Sequence, residues 1–450
     1  MRDGGLVGLD EGIAALPLRE DADDRFSVLA RLFLGHEAIE TRLAAAALAP
    51  LAPGDLGELL TVRDGVVRAR VRLDPFEGLL IASDFAGRLG ENHVVGIGGG
   101  TRMLAGLTVR RSGEDVLDLC TGSGALALLA ARHADRVVGV DLNRRALRLA
   151  RANGALNGLA VEWRHGDLFE PVGDEQFDLV IANPPFIVSP GREFLFRDSG
   201  REDDALSRAV VQGAAARLRE GGYAHILCNW VAPARGRWSK TPRSWLRGSG
   251  CDAWLLHYRT DRPAAYALRW NLRPGHTLAT AAVAARPWVD YYNRRGIEAI
   301  ATGIIVLRRR SGRNWVHEDE FVRTPVGAAG PHVERVFAAQ DLLRSLKDER
   351  ELLAMTLTAA PGTMLVERRH PSGALERARL TVEEGIPLAG RIPPACVPVV
   401  AGLDGRRPLG RVVEVAARTA GVTPEALAAT CLPARGELLA RGLLVVRGVS

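Results

Sequence analysis

Four short stretches place polar residues where apolar runs end: "VLDLCTGSG" (116–124), "VVGVDLN" (137–143), "HGDLFE" (165–170) and "FDLVIANPPF" (177–186). In the first, the Gly122-Ser123-Gly124 turn lets backbone come close to a ligand and supplies positive-φ geometry. The helix that opens after it offers unpaired amides and positive potential. With Ala127 the spacing reads GxGxxA, which a dinucleotide or another nucleotide cofactor would accept. Asp141, about 20 residues past the turn, can take hydrogen bonds from both hydroxyls of a ribose. Its ordinary alternative is a helix N-cap before "NRRALRLA". Asp167 can accept from an adenine amino group while Leu168 packs on the ring, or it is a plain turn aspartate.

The fourth stretch is the least ordinary. Adjacent prolines cannot continue a helix or a central strand, so an asparagine followed by Pro184-Pro185 ends the run abruptly. In an open α/β sheet, ligands lie beyond the carboxyl ends of the strands, which is where "FDLVIA" delivers Asn183. The locked backbone gives two acceptors at fixed positions, the Asn183 side-chain oxygen and the Pro184 carbonyl. A planar NH2 group presents two donors in a matching fork, and Phe186 can stack on its flat face. Such a site orients a nitrogen toward an electrophile and needs no strong base. The sulfonium methyl of S-adenosylmethionine, lying over the glycine turn, is the electrophile that fits.

The elements that must hold these residues alternate. Between about 100 and 310, "DVLDLC", "RVVGVDL", "VEWRHGDL", "FDLVIAN" and "YAHILCNW" read as strands. "ALALLAARHA", "RRALRLARANGALNG" and "ALSRAVVQGAAARLREGG" read as the helices between them. "AWLLHYRT" and "AIATGIIVLRRR" close the series as two more strands. That βαβα order predicts an open parallel sheet covered on both faces. Before it, "RFSVLARLFLGHEAIETRLAAAALAPL" has helical spacing, "PGD" opens a short helix, and "GVVRARVRL" (65–73) and "GLLIASD" (78–84) read as paired strands. After it come helices over "HVERVFAAQDLLRSL" and "DERELLAMTL", a hairpin turning at "PSG", then helix, helix, helix and strand. Within that last part "GRVVEVAARTAGVTPEALAAT" resembles a helix-turn-helix, a pattern that ordinary three-helix packing also produces.

"LDLCTGSG", "GVDLN", "GDLFE" and "IANPPF" stand in the order and spacing of class I S-adenosylmethionine-dependent methyltransferases. More narrowly they resemble the small-domain group with an Asn-Pro-Pro-Phe/Tyr motif. That group includes release-factor glutamine methyltransferases and ribosomal-RNA guanine-N2 and adenine-N6 methyltransferases. The resemblance implies an α/β fold with a Rossmann-like seven-stranded methyltransferase sheet and S-adenosyl-L-methionine as cofactor. It assigns cofactor binding to Asp118, Cys120, Gly122, Gly124, Asp141, Leu142, Asp167, Leu168 and Asn183. It assigns the target nitrogen to Asn183, Pro184, Pro185 and Phe186, and it calls for no metal. "HVVGIGGGTRMLAGLTVR" (93–110) and "FRDSG" (196–200) resemble a bacterial branch of these enzymes whose substrate is unassigned. Release-factor enzymes usually end soon after the last strand, whereas this chain continues.

Its 450 residues predict more than one domain. The expected plan is a substrate-presenting, winged-helix-like α+β module over 1–95, the methyltransferase domain over 96–315 and an α+β accessory domain, again winged-helix-like, over 316–450. No apolar run reaches membrane-span length. The acidic start "MRDGGLVGLDEG" lacks a signal-peptide core, so a cytoplasmic protein without membrane contact is expected. Five dispersed cysteines (Cys120, Cys228, Cys251, Cys396, Cys431) suggest neither a disulfide framework nor a zinc site. A net charge of +6 allows a nucleic-acid or ribosomal partner. Arg192, Arg197, Arg201, "RRR" (308–310) and "GRNW" (312–315) could touch phosphates, or be solvated arginines.

The resulting expectation is an N-methyltransferase for a planar nitrogen, on a protein such as a release factor or on ribosomal or transfer RNA. Three alternatives share part of the evidence: a methyltransferase for a small metabolite or peptide, a silent cofactor-binding scaffold, and a hydride-transferring enzyme. The last two leave "NPPF" without a role. Trp230 could line the pocket or sit in the core; His165 reads as a surface residue and His225 as a core one.

Overall fold

A computed structural model describes residues 23–86, 90–272, 276–321, 325 and 327–447. The acidic start of the chain lies outside the described residues. The chain forms two compact units, one made of residues 1–105 and 110–319, the other of 106–109 and 320–450.

The first unit is built on a mixed sheet. Its strands are β1 (Asp115–Leu119), β2 (Arg136–Asp141), β3 (Glu162–His165), β4 (Phe177–Ala182), β5 (Leu218–Ala232), β6 (Cys251–Asp261), β7 (Ala299–Arg309) and β8 (Val316–Glu320). They lie in the order β8-β6-β7-β5-β4-β1-β2-β3. β1 to β5 pair in parallel, and β7 runs antiparallel between β5 and β6. The sheet therefore has eight strands rather than seven. The extra one is the short edge β8, whose polar sequence "VHEDE" carries no strand periodicity and is held by its neighbour.

β1 and β4 are almost continuously apolar because helices cover both sheet faces. The helix Ala205–Arg217 adds Leu206, Val210, Val211 and Ala214 to a core shared with Leu117, Val180 and Ile226. Two helices between β6 and β7, Pro263–Asn271 and Leu278–Arg295, were not foreseen. Pro287 interrupts the pattern in the longer one, and only its Ala281, Ala285, Trp288 and Tyr292 are buried.

Ahead of the sheet, the helical stretch is two helices, Arg25–Phe33 and Thr41–Leu48, separated by a two-residue strand. Asp24 caps the first, accepting from Ser27 N at 3.1 Å. The stretch "GVVRARVRL" splits between two hairpins. Val66–Ala69 pairs with Leu60–Arg63, and Arg72–Phe76 pairs with Leu79–Ser83. Each hairpin turns on an acid–glycine pair with positive φ at both residues, Asp64-Gly65 (52° and 77°) and Glu77-Gly78 (51° and 76°). The second hairpin is tied to the helix Arg144–Asn157: Asn153 Oδ1 accepts from Ala82 N at 2.8 Å and Asn153 Nδ2 donates to Ala82 O at 3.0 Å.

In the second unit the helix Gly330–Ser345 and the hairpin at 371–373 form as expected. The helix over "DERELLAMTL" stops at Ala354 and gives way to a strand, Thr356–Ala359. The expected three terminal helices are two, Leu409–Ala420 and Pro424–Ala440, the second running through Pro433. Cys396 and Cys431 form a disulfide, contrary to the sequence expectation. They are 35 residues apart, and both are buried in the core that makes them neighbours. His332 contacts Arg441 O through Nε2 at 2.7 Å and accepts from Ile386 N at 3.2 Å. No helix among the described residues is long and apolar enough to cross a membrane.

Candidate active site

The carboxyl ends of β1, β2 and β4 and the loop after β3 open on one cavity of about 400 Å³. Asp118, Cys120, Gly122, Asp141, Leu142, Asp167 and Leu168 line it, as do Asn183, Pro184, Pro185 and Phe186. Of the expected residues, Gly124 stands behind the wall. A Cβ there would meet the Trp163 ring at 2.6 Å and Ala150 at 3.1 Å, and its φ is 84°. Its glycine is explained by close packing and a left-handed turn, not by ligand contact.

The acids at the strand ends shape the turn. Asp118 is buried, and its Oδ2 accepts from Thr121 Oγ1 and from Ala127 N at 3.0 Å. Its Oδ1 is buried without a hydrogen-bond partner. Burial pushes its carboxyl up to about 7, against the pull of those two bonds. Asp141 accepts from Gly122 N and Asn143 N, both at 2.8 Å. Its carboxyl is raised too, again chiefly by burial. The amides of Thr121, Gly122, Gly124 and Ala127 thus already bond within the chain. The turn contributes shape more than free donors. Cys120 and Leu168 adopt positive φ, 58° and 48°, a costly conformation for side-chain-bearing residues that clusters at functional sites.

At the end of β4, Asn183 Nδ2 lies 3.5 Å from Thr101 Oγ1, which turns Oδ1 away from that contact. The Pro184 carbonyl accepts from Phe186 N at 2.7 Å, a tight local turn that occupies one of its two lone pairs. The segments around the motif are clamped by groups that are distant in sequence. Phe186 bridges to Asp198, and Ile187 N donates to Arg197 O at 3.3 Å. Arg197 and Asp198 are both buried and form a bidentate pair at 2.9 Å. Asp198 also accepts from Glu193 N and Phe194 N, and Arg197 reaches Trp270 O at 3.3 Å. Tyr266 Oη accepts from Val188 N at 3.2 Å, and Tyr292 Oη donates to Val188 O at 2.7 Å. The helices between β6 and β7 supply both tyrosines. "FRDSG" is therefore an anchoring motif.

Sequence reasoning also missed the wall from 93 to 101. A Cβ on Gly100 would come within 3.3 Å of Asn183 Oδ1 and 2.8 Å of Leu227, so only glycine fits there. The glycine run in "GIGGGT" was the available signal. The arginines expected to face phosphates are mostly committed. Arg308 and Arg310 pair with the buried Asp252, and Arg309 donates to Ser249 O. Arg201 pairs with Asp167 at 2.9 Å. Arg192 stays exposed on the cavity rim. Trp230 is fully buried and donates to Trp238 O at 2.8 Å, so it belongs to the core. His225 is buried, and desolvation lowers it to about 3, which keeps it neutral. His165 is exposed, contacting Leu142 O.

A family model, the methyltransferase small domain, matches residues 95–237. Residues 95–237 are therefore similar to that family. Likeness to that family implies S-adenosyl-L-methionine as the cofactor. The chain is 40% identical over 119 residues to a ribosomal protein uL3 glutamine methyltransferase of Bradyrhizobium diazoefficiens, covering 26% of this chain and 36% of that protein. It is 31% identical over 184 residues to a release factor glutamine methyltransferase of Geobacter sulfurreducens, covering 37% of this chain and 64% of that one. The match thus spans about one third to two thirds of those relatives. A solved 16S rRNA N2 G1207 methyltransferase of T. thermophilus, in complex with AdoMet and guanosine, aligns at 20% identity and a TM-score of 0.31, covering 60% of this chain and 61% of that one. A second family model, a domain of unknown function (DUF7782), matches residues 334–446.

Proposed function

We propose that the chain is an S-adenosylmethionine-dependent N-methyltransferase whose acceptor is a planar side-chain amide of a protein, of the glutamine type. The observation that carries this reading is the shared cavity. Asn183, delivered by β4 and locked by Pro184-Pro185, faces the same space as the strand-end acids Asp118 and Asp141.

The residues fit the cofactor. The unpartnered, buried Asp118 Oδ1 calls for a donor, and a cationic amino group supplies both the donor and the charge. Asp141 keeps lone pairs for ribose hydroxyls beyond its two backbone bonds. Once bound, S-adenosylmethionine contributes an electrophilic methyl group. The chain's own work is orientation. Asn183 Oδ1 accepts one N–H of the acceptor amide, and the remaining lone pair of the Pro184 carbonyl accepts the other. Phe186 packs on the amide plane. Both bonds draw electron density onto the nitrogen and point its lone pair at the methyl. The nitrogen gains the methyl and releases one proton to solvent, so no buried base is required.

Two observations favour a protein amide over a nucleic-acid base. Of the arginines lining the cavity, Arg197 is held in a buried ion pair and Arg72 and Arg201 are paired with Asp74 and Asp167, which leaves Arg192 for a phosphate. The similar curated proteins are glutamine methyltransferases by name. The module before β1 is then the part that presents the protein acceptor. The test is methyl transfer from radiolabelled cofactor into a lysate of cells lacking the protein. Label removed by protease and kept after ribonuclease is the expected result. Label removed by ribonuclease would make the acceptor a base, and label in the small-molecule fraction would make it a metabolite.

A further inference from the structure

The second unit contains a three-stranded antiparallel sheet, β9 (Thr363–Arg369), β10 (Leu375–Val382) and β11 (Ala389–Ile392), in that order. Side chains alternate between its faces. Ala378, Leu380, Val382 and Ile392 point into the unit's core. The other face is open, and its register sets arginines side by side. Arg368 lies opposite Arg377, and Arg379 lies opposite Val366 on one side and Arg391 on the other. The remaining outward positions, 364, 366, 381 and 389, are uncharged, so the face carries four arginines, with Glu376 as an acid at its end where the strands shift register. All four arginines are exposed. Arg368 pairs with Glu376 at 3.1 Å, where the two strands shift register. No acidic side chain among the described residues pairs with Arg377, Arg379 or Arg391.

Like charges directly opposite each other weaken a sheet. Nothing within the second unit compensates three of these four guanidiniums, and a polyanionic partner would. We propose that this face docks the phosphate backbone of double-helical RNA. Strands ~4.8 Å apart and same-face residues ~7 Å apart give a flat grid of guanidiniums. A phosphodiester backbone, with its closely and evenly spaced charges, can meet such a grid in any register. The face has no aromatic side chain on which an unpaired base could stack, which argues against single strands. The site is separate from the acceptor chemistry and does not depend on it.

The test is fluorescence anisotropy of the full chain with a labelled RNA duplex of about 16 base pairs, titrated over a range of salt. Binding should weaken with salt. The triple variant R377A/R379A/R391A should bind at least ~10-fold less well near 0.1 M salt. Its log–log salt slope should be shallower by about 3. R377K/R379K/R391K should keep most of the affinity, and the thermal midpoints of both variants should match the parent, since the three side chains lie outside the core. Equal duplex binding by the parent and the alanine triple would overturn the proposal. So would poly-glutamate displacing the duplex at lower charge concentration than unlabelled duplex does, which would make the partner an acidic protein segment.

Discussion

The two halves of the cavity are assembled in different ways. The cofactor half is made by strand ends and the turns that follow them, so Asp118 and Asp141 are placed by groups no more than 19 residues away. Asp118 bonds Thr121 and Ala127, and Asp141 bonds Gly122 and Asn143. The acceptor half hangs on groups far away in sequence. Val188 is held by Tyr266 and Tyr292, and the segment after "NPPF" is held by the Arg197–Asp198 pair and Trp270. The first half is local and stiff by construction. The second is rigid only while its distant clamps hold, so the two should fail separately.

The largest effect belongs to the acceptor half. Arg197→Met leaves Asp198 buried without its cation, which costs about 3–5 kcal/mol. Urea denaturation should show that loss, and Arg197→Met with Asp198→Asn should recover part of it. Next, in the cofactor half, Asp118→Asn removes a charge-assisted bond to the cofactor's amino group, worth about 1.5–3 kcal/mol of affinity. Calorimetric titration measures it.

The same aspartate links binding to pH. Its folded pKa, near 7, lies above that of an unfolded aspartate, about 3.9. The cofactor-free protein therefore holds this proton more tightly when folded. It loses stability as pH rises from about 4 through about 7. A bound ammonium favours the ionised carboxyl, so cofactor binding at pH 6 should release a proton. Affinity should climb with pH and level off above about 7. Titration in buffers of different ionisation enthalpy reads the proton release, and Asp118→Asn should abolish it.

Smaller still, Tyr292→Phe removes one bond to Val188 O. It should cost about 1 kcal/mol of stability and lower methyl transfer more than cofactor affinity. The smallest effect is expected of Arg201→Ala. Its pair with Asp167 is largely solvent-exposed, and such pairs contribute about 0–1 kcal/mol. A large loss of transfer in that variant would restore a phosphate-contacting role for the rim.

The same division explains what could be read from the sequence. Strand ends, the glycine turn and "NPPF" follow from spacing within about ten residues, and nearly all the residues they single out share one cavity. The packing that requires glycine at 124 comes from Trp163, nearly forty residues on. The clamps were invisible for the same physical cause. Nothing local marks Tyr266 or Tyr292 as partners of Val188, and Pro287 obscured the helix carrying Tyr292. "RRR" stays open between phosphate contact and solvation in the sequence, because the counterion of Arg308 and Arg310, Asp252, sits on a neighbouring strand. The Cys396–Cys431 disulfide and the edge strand β8 likewise exist only through tertiary contacts.

The most direct test is to measure cofactor affinity and methyl transfer on one preparation of Asn183→Ala, with the parent protein beside it. If Asn183 chiefly orients the acceptor nitrogen, cofactor affinity should stay within about threefold, a change of under 1 kcal/mol, while transfer falls by about 10²-fold or more. If affinity and transfer fall together by the same factor, Asn183 acts through the cofactor, and the division of the cavity into two halves is wrong.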